Sequence, residues 1–171
     1  MEKLEKQKCP ICGEDTLEMV EDATEIPYFG KVFLFSMTCT SCKYHKADVE
    51  PAEQREPCKC TFDIENEKDL NVRIVKSGQA TVKIPHMISI EPGPASNGFV
   101  TNVEGILKRV KRAIETSKEE AEDPSAKKKA KNMLKKLQKV MWGQEKLKLI
   151  IEDPSGNSAI VSEKTKTQKL K

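Results

Sequence analysis

Two Cys-x-x-Cys pairs, Cys9-Pro10-Ile11-Cys12 and Cys39-Thr40-Ser41-Cys42, constrain this chain more than any other feature. Each pair has the form of a zinc knuckle, a tight turn whose backbone amides point at the thiolates. Gly13 after the first pair and the small residues Thr40 and Ser41 inside the second suit such turns. Two knuckles supply four thiolates, which close a tetrahedron around one Zn²⁺ at Zn–S distances of about 2.3 Å. A complete sulfur shell leaves no coordination position for a substrate. The expected site is therefore structural, with Cys9, Cys12, Cys39 and Cys42 as ligands, one Zn²⁺ and no catalytic residue. The competing reading is a set of unrelated core cysteines, and it requires two well-spaced pairs to arise by accident.

All six cysteines precede residue 61, so metal chemistry is confined to the amino-terminal third and the rest must fold on an ordinary apolar core. The opening residues Met1 to Lys6 lack the apolar stretch of a secretory signal, and no apolar run approaches the ~20 residues that cross a bilayer. A cytoplasmic setting with reduced thiols is the expectation. The net charge of +3 conceals an asymmetry, because residues 1–56 sum to −5 and residues 57–171 to +8. The two ends present opposite signs to a partner or to each other.

The patterning divides the chain into a four-cysteine zinc-finger module over 1–56, a β domain over 57–161 and a polar, lysine-rich tail over 162–171 that is expected to fray. Within the first module, the aromatic and β-branched run from Ile26 to Phe35 between the knuckles reads as strand. Past Phe62, Asn71–Lys76, Ala80–Ile84 and Met87–Ile90 are short strands, each stopped by a turn at Ser77-Gly78, Pro85 or Pro92-Gly93-Pro94. A helical hairpin interrupts them at about 101–143. Thr101 and Glu104 have the spacing of a capping box, with Val103, Ile106, Leu107, Val110 and Ile114 on one face of the first helix. Asp123-Pro124 opens the second, whose face carries Ala126, Ala130, Met133, Leu134, Leu137, Val140 and Met141, with Gly143 at its end. Strands resume at Leu147–Ile151 and, after the turn Glu152 to Asn157, at Ser158–Val161. The fold class is mainly β with an inserted helical hairpin (α+β).

Other chemistry-bearing residues give weaker signals. Cys58 and Cys60 lie two apart, on one face of a strand, but four better ligands stand upstream and a non-ligand role is expected. His45 and His86 are surface or capping residues on the same argument. Lys127, Lys128, Lys129, Lys131, Lys135, Lys136 and Lys139 crowd the second helix with no acid among them. They read as a solvated face or as a nucleic-acid surface, although no aromatic residue lies between Thr101 and Met141 to stack a base. Ile26, Pro27, Tyr28 and Phe29 form an apolar segment in a module too small to bury everything. Two expectations follow from it, an exposed partner-binding patch or packing on the second domain. No phosphate-cradling loop or nucleophile elbow is present.

Four segments in order resemble the ZPR zinc-finger family over nearly the whole chain. They are the two knuckles flanking Ile26-Pro27-Tyr28-Phe29; Asp69 to Gly78 running into Ala80 to Pro85; Thr101-Asn102-Val103-Glu104-Gly105-Ile106-Leu107; and Glu152-Asp153-Pro154-Ser155-Gly156-Asn157-Ser158. The resemblance implies a zinc finger followed by a double-stranded β-helix (jelly-roll-like) domain with the helical hairpin inside it. It also implies a binding or chaperone role toward translation elongation factor one-alpha, and an archaeal type, since a single copy of the module is typical of archaeal members. Cys58, Cys60 and His86-Met87 depart from the family pattern.

Overall fold

The computed structural model describes residues 1–27, 29–53 and 55–170, so Tyr28 of the aromatic segment lies outside the described residues. Strands β1 (Glu2–Gln7), β2 (Leu17–Ile26), β3 (Gly30–Cys39) and β4 (His45–Pro51) form an antiparallel meander in chain order. The β2–β3 register runs from Leu17 opposite Cys39 to Ile26 opposite Gly30. One end of this long hairpin therefore carries a cysteine knuckle and the other the aromatic segment. Because strand side chains alternate, Ile26, Val32, Leu34 and Val49 share one face while Met37, Phe35 and Phe33 line the other.

The second module is two antiparallel sheets with a helical hairpin. One sheet has the order β12 (Lys166–Lys169), β5 (Cys58–Ile64), β10 (Leu147–Asp153), β7 (Thr81–Ile84), β8 (Ile88–Ile90). The other is β11 (Ala159–Val161), β6 (Arg73–Lys76), β9 (Phe99–Asn102). Alternation along β10 turns Leu147, Leu149 and Ile151 inward, opposite Ile64, Phe62 and Cys60 of β5. Helices α1 (Val103–Glu120) and α2 (Pro124–Met141) lay Ile106, Leu107, Val110, Ile114, Leu137 and Val140 on that core, while Ala126, expected on the same face, is exposed in the first turn of α2. A 3-10 turn, Glu67–Asn71, takes the first residue of the strand expected to start at Asn71. Asp123 and Pro124 open α2 as expected, the Asp123 carboxylate accepting from the Ser125 and Ala126 amides. Helix α1 differs: Asn102, not Thr101, is the cap and accepts from the Gly105 N–H at 2.9 Å, while Glu104 pairs with Lys108.

Two sequence expectations are corrected. The 162–171 tail is not frayed across 166–169, where β12 pairs with β5 from Lys166 opposite Thr61 to Lys169 opposite Cys58. All four of its side chains are exposed, so ladder hydrogen bonds rather than apolar burial hold it, which is why its polarity hid the strand. Before it, Lys164 reaches the carboxylate of Asp69 at 3.0 Å.

The second correction concerns the exposed patch, one of the two expectations for Ile26 and Phe29, which are 5% and 7% exposed and pack on the second domain as the other expectation had it. With Val32 and Val49 they form a cluster with Val75 of β6, flanked by Leu34, Val100, Ala159 and Val161. The finger's apolar face thus lies on the three-stranded sheet, where it removes more apolar area from water than a free finger could. Arg55 covers the Phe29 ring at 3.9 Å and donates to the Phe29 carbonyl at 2.7 Å. Pro27 alone of the described members of that segment is exposed.

Candidate metal centre

The knuckles are built from backbone geometry. Gly13 adopts a positive φ of 77°, which lets its N–H return to the Cys9 carbonyl at 2.9 Å and the Cys9 N–H reach the Glu14 carbonyl at 2.8 Å. In the second knuckle the left-handed position falls to Lys43, at φ 62°, rather than to Thr40 or Ser41. The Lys43 ammonium donates to the Thr40 carbonyl at 2.9 Å and closes that turn. The Cys39 N–H bonds to the Tyr44 carbonyl, and the Thr40 N–H to the Thr16 carbonyl, tying the second knuckle to the segment that leads from the first into β2.

The result brings all four sulfurs within 4.8 Å of one another. Cys9 and Cys42 Sγ are 3.7 Å apart, as are Cys12 and Cys39 Sγ. A tetrahedron with Zn–S of about 2.3 Å has edges of about 3.8 Å, so the cage fits the ion. The Ile11 amide points at Cys9 Sγ at 3.4 Å and the Cys42 amide at Cys39 Sγ at 3.5 Å, the second-layer donors that a thiolate requires. Thr16 adds its hydroxyl to Cys39 Sγ at 3.2 Å. Cys9 and Cys39 are buried beside Leu17, with Met37 and Tyr44 packed around them, while Cys12 and Cys42 stand at the surface.

The thiols differ in acidity. The Thr16 hydroxyl and then the Cys42 amide hold Cys39 down to about 6. Burial works against Cys9, but the amides of Cys12 and Ile11 outweigh it and lower that group also. For Cys42 the Tyr44 amide favours the thiolate, yet burial and the three neighbouring sulfurs together push it up to about 12. Four thiols this close cannot all ionise unaided. A dication supplies the missing charge and expels the remaining protons, so binding and deprotonation are one event. With four sulfurs around it, the ion is structural.

Of the other sequence candidates, His45 holds the Thr38 hydroxyl at 3.0 Å from an exposed place on β4, and His86 sits in the turn between β7 and β8 at φ 60°. Cys58 and Cys60 lie on β5, away from the sulfur cage. The Cys58 thiol donates to the Ser158 carbonyl at 3.4 Å, and Cys60 faces the Thr167 hydroxyl at 3.9 Å. All seven α2 lysines are exposed. Thr16 was missed, because a lone Thr between the knuckles carries no spacing signal. Lys43 was missed because a left-handed φ outside glycine leaves no mark in composition.

The chain matches two family models, the ZPR1 zinc-finger domain over residues 1–57 and the ZPR1 jelly-roll domain over residues 68–171. It is 42% identical over 165 residues to a ZPR1-like protein of Methanocaldococcus jannaschii, covering 95% of this chain and 83% of that one. A ZPR1-like protein of Pyrococcus horikoshii is 41% identical over 167 residues, 95% of this chain and 75% of that one. The zinc finger chaperone zpr1 of Schizosaccharomyces pombe is 35% identical over 159 residues, 89% of this chain and 33% of that protein.

Proposed function

This chain belongs to the ZPR1 zinc-finger family, and from that premise we propose that it is a zinc-dependent chaperone or binding partner of translation elongation factor one-alpha. The observation that carries the reading is the 35% identity over 159 residues, 89% of this chain, to a third of a relative that is named a zinc finger chaperone. The metal's part is to set the finger's shape: it locks two knuckles at one end of a four-stranded sheet whose other end is clamped on the jelly-roll.

With Ile26 and Phe29 turned inward, the client contact falls to side chains that the finger exposes. Leu4 and Met19 are cross-strand neighbours, 58% and 36% exposed, and Ile11 inside the first knuckle is 67% exposed. Pro27 stands at the far end of the sheet. These apolar residues lie in a module of net charge −5, to which four thiolates on one Zn²⁺ add −2, so a basic, apolar client surface is complementary to it.

The test is co-purification and refolding of the elongation factor with wild-type protein and with an Ile11→Ser, Leu4→Ser double variant that retains zinc. We expect wild-type binding and a loss of about tenfold or more in the variant. No binding by the wild type removes the client, and equal binding by the variant removes the surface.

A second reading has one observation in its favour. Helix α2 exposes seven lysines, and Trp142, 57% exposed, follows directly on its end. Salt-dependent binding of random RNA, abolished by replacing those lysines, is the outcome that separates nucleic-acid binding from the chaperone reading.

A further inference from the structure

Between strands β6 to β8 and helix α1 lies a cavity of about 290 Å³ that the metal centre does not use. Most of its wall is apolar, formed by Ala80, Val82, Ile90, Ile106 and Val110, with Ser96 and Asn97 as polar members. Set into it are two cations and one aromatic ring. Lys76, at the end of β6, is only 6% exposed; its ammonium donates to the Ser77 carbonyl at 2.8 Å and stands 5.5 Å from the Phe99 ring centroid. Arg109, exposed on α1, lays its guanidinium 4.0 Å from the same centroid. Neither cation belongs to an ion pair among the described residues.

The carboxylates that Lys76 senses are committed elsewhere. Asp153 accepts from the hydroxyls of Ser77, Ser155 and Ser158, and Asp48 from the amides of Val49 and Gly78. Burial depresses the Lys76 ammonium below its ordinary range by more than Asp153 and Asp48 restore, and Arg109 lowers it further. An ammonium has three donors, and here one has a hydrogen-bond partner among the described residues. Glu91, exposed on the rim, is the one carboxylate among the lining residues.

We propose that this cavity binds a carboxylate carried on a compact apolar body. The two oxygens of one carboxylate accept from Lys76 and Arg109, which gives the buried ammonium its missing acceptor, while the apolar body covers the walls. A phosphate brings about 1.5 to 2 negative charges and three oxygens into an apolar cleft with two cations and Glu91 at its rim, so it is the poorer match. A neutral apolar guest leaves the ammonium unmatched. The same chemistry is offered by a free aliphatic acid and by the carboxy-terminal residue of a peptide with an apolar side chain.

The experiment is an amide NMR titration of the full zinc-loaded chain with isocaproate, with isocaproamide, and with a short peptide ending in leucine as the free acid or the amide. Isocaproate is expected to give saturable shifts confined to β6, Phe99 and the α1 turn of Arg109, with the amide at least about tenfold weaker. Arg109→Gln and Lys76→Met should each weaken the acid by about tenfold and leave the amide unchanged. If Lys76→Met does not fold, the exposed Arg109→Gln decides the matter alone. A free-acid peptide binding more tightly than isocaproate assigns the site to chain termini, and the reverse order assigns it to free acids. Equal binding of acid and amide, undiminished binding by Arg109→Gln, or no saturation of any free acid by about 20 mM overturns the proposal.

Discussion

Asp48 of the finger accepts a hydrogen bond from the Gly78 N–H of the jelly-roll at 2.9 Å, and the space its carboxylate occupies is open only because residue 78 has no side chain. A Cβ on Gly78 would stand 2.8 Å from Asp48 Oδ2. Gly98 is tighter still, since a Cβ there would meet Asp48 Oδ1 at 2.2 Å and the Val49 backbone nitrogen at 2.8 Å. The Gly98 N–H also bonds to the Ala47 carbonyl, and the Ala47 N–H to Asn97 Oδ1. Strand β4 is thereby stitched to the second module, alongside the apolar cluster of Ile26, Phe29, Val32, Val49 and Val75.

This junction predicts a coupling. Asp48→Ala should cost about 1–2 kcal/mol through the lost hydrogen bond, and Gly98→Ala about 1–3 kcal/mol because the Val49 backbone cannot swing aside. Gly78→Ala should cost less in the Asp48→Ala background than in the wild type, since the carboxylate it would strike is gone. Denaturant unfolding of the four members of that cycle measures the coupling, and strictly additive costs would mean that the two residues do not interact.

Zinc removal should act unequally on the two modules. The finger depends on metal binding worth about 10–16 kcal/mol, whereas the jelly-roll has its own core around Phe62, Leu107, Leu137 and Leu149. Chelation is expected to erase the dispersed NMR signals of residues 1–56 while the jelly-roll stays folded, destabilised by about 2 kcal/mol or more as Val75, Val100 and Val161 lose their cover. Cys39→Ser should reproduce this and fail to hold a full equivalent of zinc by elemental analysis. Collapse of both sets of signals together would contradict it.

The Asp69–Lys164 pair predicts a pH dependence. Burial pushes the Asp69 carboxyl up, but the Glu65 amide, the Lys164 ammonium and the Asn66 amide outweigh it and hold the group below its ordinary 3.8. A carboxyl depressed in the folded state stabilises the fold above its unfolded pKa, and that stability is lost as pH falls through the lower folded value. Lys164→Met should therefore cost about 1 kcal/mol near neutrality and progressively less below pH 3.8. A difference from wild type that stays constant down to the acid limit would argue against this assignment.

Asp153 should be among the most costly polar residues to replace. It is fully buried, and three serine hydroxyls converge on its carboxylate, Ser77 from the turn after β6 and Ser155 and Ser158 from the loop between β10 and β11. Asp153→Ala strands the hydroxyls of Ser77 and Ser158 in a dry junction, with an expected loss of about 3 kcal/mol or more. A thermal melt shifted by only a degree or two would show that water replaces the carboxylate.

The features legible in the sequence are those encoded within a few residues. The two knuckles, the Asp123-Pro124 start of α2, the inward face of α1 and the strand at Leu147–Ile151 all depend on near neighbours, and their periods are set by backbone geometry alone. The family resemblance, carried by four short segments, went further and supplied the jelly-roll. What only the tertiary structure decided are relations between residues far apart in the chain. The exposure of Ile26 and Phe29 depends on whether β6 and β11 lie beneath them, and no local property of the segment states that. The order of β12 arises from ladder bonds to β5, a strand about a hundred positions earlier, to which an all-polar sequence gives no clue. The approach of Asp48 to Gly78 and Gly98, and of Lys76 and Arg109 to one ring, follows from how two sheets and a helix pack. Such juxtapositions are fixed by the free energy of the whole fold, in which each residue's local preference is a minor part.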